Sequence, residues 1–162
     1  ARKDAETVLD DDWASLITVF IDVVDASQRV NLATYLPRRA AALDKEGYEV
    51  ESARVPVYGS GSGGLTASRS FYGDSYAMLA IADGPYFYRL IAQTVSDDGP
   101  TLETLIGLAD AMFASGRAPE HGDILADLAK ADPETAVLAR MPRSDEIPAG
   151  FTLIGEDVFI TP

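Results

Sequence analysis

The chain of 162 residues carries 26 Asp and Glu against 13 Lys and Arg, a formal charge of −13, with one histidine and no cysteine. A field of that sign repels phosphate backbones and anionic membrane surfaces, which argues against nucleic acid as a partner. The missing thiols exclude structural disulfides, thiolate zinc sites, iron–sulfur clusters and cysteine nucleophiles, and leave the compartment open.

The length suits one domain with a proper core, and no apolar run approaches the ~20 residues of a membrane-spanning helix. The N-terminal Ala1–Asp12 is charged and reads as a frayed lead or a short helix. Its Asp10-Asp11-Asp12 run lacks the alternating ligands, the glycine and the late Glu of a calcium loop, and reads as a solvated cap. In the next stretch Trp13, Leu16, Ile17, Phe20, Ile21 and Val24 fit a helical stripe, yet the β-branched and aromatic run favours a strand over Leu16–Val24. Ser27–Glu46 is helical, with Leu32, Tyr35, Leu36, Ala40 and Leu43 inward and Gly47 as its stop. Pro37 lies inside that pattern, where it either kinks the helix or starts a second one. Tyr48–Tyr58 returns to strand.

Gly59-Ser60-Gly61-Ser62-Gly63-Gly64 contains the G-x-G-x-x-G spacing through Gly59, Gly61 and Gly64. A dinucleotide site needs a helix N-terminus directly afterwards, whereas Leu65–Phe71 alternates like a strand, so the segment reads as a mobile loop. Tyr76–Ala82 is apolar at every position, Asp83-Gly84-Pro85 interrupts, and Tyr86–Val95 resumes. Asp-Gly between two such runs marks an antiparallel hairpin, with Pro85 at the start of its second strand. Leu102, Leu105, Ile106, Ala109, Met112 and Phe113 then form one stripe at helical period. Asp97, Asp98 and Pro100 suit its start, and Gly116 its end. Glu120–Ala131 reads as a short helix, with Ile124, Leu125 and Leu128 apolar. Pro133, Pro142 and Pro148 punctuate a more extended tail, and Phe151–Ile154 and Val158–Thr161 read as two short strands around Gly155-Glu156-Asp157. The order of strand, Asp, helix and Gly at Phe20–Gly47 recurs at Arg89–Gly116, with little residue identity between the copies.

A catalytic constellation is missing from this pattern. The lone His121, between Glu120 and Gly122, reads as solvated, and no acidic pair separates itself from the surface carboxylates. Asp22 and Asp74 border apolar strand sequence, as strand ends or outward-facing residues do. No cofactor or metal motif is present. The feature that stands out is aromatic: Tyr58, Phe71, Tyr72, Tyr76, Tyr86, Phe87 and Tyr88 gather with Arg69 and Arg89 on strands expected to be neighbours. Tyrosine pairs an apolar body with a polar tip, and Arg beside aromatic rings can stack or bind a carboxylate. Tyr58, Arg69, Tyr72, Tyr76, Tyr86, Tyr88 and Arg89 are therefore the candidate contact residues. The competing reading is an aromatic core with Arg heads at the sheet edge.

The succession ITVFIDVVDASQRVNLATYLPRRAAALDKEGYEV, VPVYGSGS, SYAMLAIADGPYFYRLIAQ and LETLIGLADAMFA resembles uncharacterised secreted proteins and lipoproteins of actinobacteria and their relatives, over roughly residues 13–117. The resemblance implies an extracytoplasmic location and no known activity; the lipobox cysteine of such lipoproteins is absent. The expected fold is α+β in one domain of residues 1–162: an antiparallel sheet of about five strands with two main helices on one face, residues 13–117 as its core and residues 118–162 packed on it. The expected function is a non-catalytic extracytoplasmic binding or interaction module for a protein partner or a small apolar or aromatic ligand. Two alternatives are a small-molecule-binding protein or enzyme, with an aromatic pocket between sheet and Gly-rich loop, and an oligomer-forming structural subunit.

Overall fold

The computed structural model describes residues 2–11, 15–70, 73–95, 99–114 and 132–161. The strands are β1 (Arg2–Asp11), β2 (Ser15–Val23), β3 (Glu49–Ala53), β4 (Gly61–Arg69), β5 (Asp74–Asp83), β6 (Tyr86–Thr94) and β7 (Thr152–Thr161). The helices are α1 (Leu32–Lys45), α2 (Leu102–Met112) and α3 (Pro133–Leu138), preceded by a 3-10 turn at Ala26–Gln28. The strands form one seven-stranded sheet in the order β3-β4-β5-β6-β2-β1-β7, antiparallel at each pairing. The fold class is thus α+β, an antiparallel sheet with two main helices, and the sheet is wider than the sequence suggested.

The fully apolar β5 explains how the layers are arranged. Side chains alternate across a strand, so an apolar residue at every position demands cover on both sides. Ala77, Leu79 and Ile81 pack with Leu105, Leu108, Ala109 and Met112 of α2. Tyr76, Met78 and Ala80 pack on the opposite face with Leu43 of α1, beside its Leu32, Tyr35, Leu36 and Ala40. The two main helices therefore lie on opposite faces and not together on one, because a single helical layer would leave half of β5 and β6 in water. Val137 of α3 and Met141 just beyond it complete the α2 side.

The β5–β6 hairpin forms as its turn chemistry dictates, with Gly84 at φ 58°; Tyr86, just after Pro85, opens β6 opposite Asp83. α1 runs unbroken through Pro37, starts where the Asn31 side chain accepts from the Ala33 amide at 3.0 Å, and stops before Gly47. α2 starts at Thr101, whose amide donates to Thr104 Oγ1 at 3.1 Å. Asp97, Asp98 and Gly116 lie outside the described residues, as do Trp13, His121 and the helix expected over Glu120–Ala131.

Four expectations are corrected. The charged N-terminus is strand β1, whose register pairs Ala5, Thr7 and Leu9 with Ile21, Val19 and Ile17; the charges of Arg2, Lys3, Asp4, Glu6, Asp10 and Asp11 gave it the look of a solvated lead. The two C-terminal strands are one, β7. Its Val8 partner is Gly155 and its Leu9 partner Leu153, so Ile154 is the extra residue of a bulge. Pro133 opens helix α3 at its N-terminal position, capped by Asp132 Oδ1 accepting from the Thr135 amide at 3.1 Å.

Finally, the Gly-rich segment is no mobile loop. β4 starts at Gly61, and the Ser62 hydroxyl accepts from the Tyr58 amide at 3.2 Å while donating to the Pro56 carbonyl. Its glycines serve close approach: a Cβ on Gly63 would collide with Leu36 of α1, and one on Gly64 would lie 2.8 Å from Val55 and 3.2 Å from Leu102 of α2.

Two sets of variants test this packing in thermal melts. Leu105→Asp, which buries an unpaired charge, should cost on the order of 4 kcal/mol; a change of less than two degrees in Tm would mean α2 is not seated on the sheet. Gly63→Ala should destabilise by about 1–3 kcal/mol through Leu36. Gly61→Ala, whose Cβ would meet Leu32 at an ordinary 3.7 Å, should stay within ~0.5 kcal/mol of the parent.

Candidate functional site

The sheet's pleat sorts the candidate residues onto two faces and prevents them from converging. Arg69, Tyr76 and Arg89 stand on the α1 side, Tyr58, Tyr86 and Tyr88 on the α2 side, and Tyr72 lies outside the described residues. The aromatic residues are interior: Tyr58 is 7% exposed, Tyr76 4%, Tyr86 2% and Tyr88 2%.

On the α1 side the β4–β5 hairpin is clamped to the start of β3. Arg69 Nε donates to Asp74 Oδ1 at 3.0 Å and Nη2 to Oδ2. The Tyr48 hydroxyl donates to Asp74 Oδ2 at 2.8 Å, and the Arg69 guanidinium stacks 4.3 Å over the Tyr48 ring. Tyr76 accepts from Arg39 of α1 at 3.3 Å, tying the helix to the same cluster. The Arg69 hydrogen bond, helped by Tyr48, holds the Asp74 carboxyl below the usual carboxylate range against the opposing effect of burial. Burial, followed by the Asp74 acceptor, raises the Tyr48 hydroxyl.

Nearer the sheet centre Arg89 Nη2 lies 3.2 Å from Asp22 Oδ2, with Asp22 only 1% exposed. The guanidinium stacks 4.6 Å over Phe20, its cross-strand neighbour, and Arg89 Nε is buried without a hydrogen-bond partner. Asp22 is thus the buried partner of a diagonal cross-strand ion pair rather than an outward residue.

On the α2 side Tyr58 donates to Asp110 Oδ1 at 2.6 Å and to the Ile106 carbonyl at 3.3 Å, pinning the chain before β4 to α2. Tyr88 meets Phe113 edge-on at 5.1 Å. Its hydroxyl accepts from Arg140 Nη1 at 2.7 Å, and the same nitrogen reaches Asp83 Oδ2 at 3.2 Å. The Arg140 guanidinium lies 3.8 Å over Tyr86, so three partners hold the chain after α3 against the hairpin. Burial raises the hydroxyls of Tyr58 and Tyr88 well above the ordinary tyrosine value. Arg140 escaped the sequence reading because nothing near it in the chain marks an approach to a hairpin so distant in sequence.

The polar ends of Tyr58, Tyr76 and Tyr88 are therefore spent internally, and what remains open lies elsewhere. A cleft of about 410 Å³ opens on the α2 side at the β3 edge, between β3–β5 and the start of α2. Glu49, Glu51, Thr66, Ser68 and Ser75 line it, and none of these side chains makes a hydrogen bond or ion pair among the described residues. A second cleft of about 410 Å³ lies on the α1 side, where Ser60 and Gly61 approach Arg29, Leu32, Tyr86 and Phe87. Among the described residues no group of three His, Cys, Asp or Glu is placed to hold a metal ion, and no helix is long and apolar enough to cross a membrane.

Fold and site together define an α+β domain with a locked aromatic interior and a polar cleft beside an edge strand. No protein-family model, curated protein or solved structure matches the chain.

The Asp74 cluster carries a pH prediction. A carboxyl whose folded pKa is depressed adds stability above its unfolded pKa of about 3.9, and loses that contribution as pH falls through the folded value. Asp74→Asn should lower Tm at pH 7 by about 2–4 °C, with the gap between parent and variant narrowing as pH falls below about 3.9. Melts followed across that range check it; parallel curves would mean Asp74 is not held by Arg69.

Proposed function

We propose that the chain is a non-catalytic binding or interaction module working outside the cytoplasm, with its ligand seated in the cleft between the β3 edge and α2. The observation carrying this reading is the pairing of five uncommitted polar side chains with a concavity of about 410 Å³. That volume falls in the range of ligand sites, about 300–1,000 Å³. Binding groups must be free to exchange water for ligand, and the buried tyrosines are not. The extracytoplasmic part rests on the resemblance carried by residues 13–117.

A second reading, a small-molecule site or enzyme, draws support from the α1-side cleft. Tyr86 and Phe87 line it beside Ser60 and Gly61, although the Tyr86 ring itself lies on the α2 side under Arg140. The cleft's one hydroxyl nucleophile, Ser60, accepts from the Gly84 amide at 3.5 Å, and no histidine or carboxylate lines the cleft to act as its base. An oligomer assembled through the tyrosines is disfavoured by their burial.

Amide chemical shifts of the labelled chain, recorded against a panel of short peptides, amines and polyols, test the proposal. Responses should centre on residues 49–53, 66–68, 75–77 and 100–102, and Ser75→Trp should abolish them while leaving Tm within ~2 °C. Shifts confined to residues 29–33, 60–61 and 84–87 would select the second reading. Immunoblots of fractionated producing cells check the compartment, and a purely cytoplasmic signal would reject that part.

A further inference from the structure

We infer that the outer edge of β3 receives an extended, basic segment of a partner protein as an added strand, with alternate Lys or Arg side chains over the acidic cleft. The inference rests on the cleft reading above and names the partner of that same site. β3 ends the sheet. Glu49–Ala53 pair with β4 alone and make no other backbone hydrogen bond among the described residues. An end strand presents a row of unpaired donors and acceptors, which an extended chain can satisfy.

The two faces of β3 state what that chain must carry. Glu49 and Glu51, opposite Ser68 and Thr66, are exposed and line the cleft on the α2 side. Val50 lies on the other face, packed against the core under α1. Residues two apart in a strand lie about 6.6 Å apart on one face. Basic residues at positions i and i+2 of an added strand therefore stand beside Glu49 and Glu51, with an apolar residue between them next to Val50. The long stems of Lys or Arg reach across β3 towards β4, where the hydroxyls of Thr66 and Ser68 can accept from the charged head.

Charge also disposes of the commonest alternative occupant, a second copy. Antiparallel self-pairing centred on Val50 or Glu51 sets glutamates directly opposite one another, which is destabilising, and each chain brings a net charge of −13. The edge resists itself and favours an oppositely charged strand.

Three eight-residue probe peptides test this by titration calorimetry and amide hydrogen exchange: one alternating Lys and Val, one alternating Glu and Val, and the Lys/Val peptide N-methylated at alternate amides. The Lys/Val peptide should bind and slow exchange within Glu49–Ala53, the Glu/Val peptide should not bind, and N-methylation should abolish binding. Glu49→Gln with Glu51→Gln should weaken the Lys/Val peptide roughly two- to thirtyfold and flatten its salt dependence. Binding of the N-methylated peptide with equal affinity would overturn strand addition and leave the cleft as a plain cation site. Absence of Lys/Val binding, alongside cleft responses to other panel ligands, would overturn this inference alone and make the glutamates guards against aggregation. Silence of the cleft towards every probe would overturn the underlying reading as well. Concentration-dependent dimers abolished by Ser52→Pro would assign the edge to self-association, against the inference.

Discussion

Tyr76–Ala82 is apolar at every position, and a strand of that kind is stable only with a covering layer on each side. The rest of the fold follows from that demand. α1 covers one face over β3–β5, α2 covers the other over β4–β6 with α3 beside it over β1 and β2, and the chain must cross the sheet to place them. Two helices on opposite faces need room to approach, which Gly63 gives to Leu36 and Gly64 to Leu102. Gly61–Gly64 thus belong to the sheet, entered through a turn at Gly59-Ser60.

Burying aromatic strands raises a second problem, since each tyrosine hydroxyl and each arginine head must find a partner away from water. The solutions are local clamps. Tyr58 is held by Asp110, Tyr48 and Arg69 by Asp74, Tyr76 by Arg39, and Tyr88 by Arg140. Each clamp joins elements that the hydrophobic core brings together without orienting them. Groups used this way are unavailable for recognition. The functional reading therefore shifts to the small polar residues of β3, β4 and β5 around the edge cleft, whose side chains have no internal work.

The elements whose periodicity is written in one type of residue were legible: the β5–β6 hairpin, the stripe of α2, and α1 up to Gly47. Strand β2 was readable once β-branching was weighed against its helical stripe. β1 was not, because Arg2, Lys3, Asp4, Glu6, Asp10 and Asp11 make it read as a charged lead, and nothing in the chain announces that β2 and β7 lie on either side. The continuity of β7 was lost to Gly155-Glu156-Asp157, a turn-like triplet that a bulge absorbs next to β1.

Of the candidate site, residue types were readable and arrangement was not. Tyr58, Tyr76, Tyr86, Tyr88, Arg69 and Arg89 do share a few neighbouring strands, as their clustering in the sequence indicated. Which of two faces each one occupies depends on strand register, and register depends on which strand becomes the neighbour. By itself the sequence determined the antiparallel hairpin, the main helices and the class of fold, since these arise from local periodicity and turn chemistry. Only the tertiary structure decided that the helices take opposite faces, that Arg140 meets Tyr86 and Tyr88, and that Glu49 and Glu51 look into a cleft. Those facts depend on contacts between residues far apart in the chain, which no local pattern encodes.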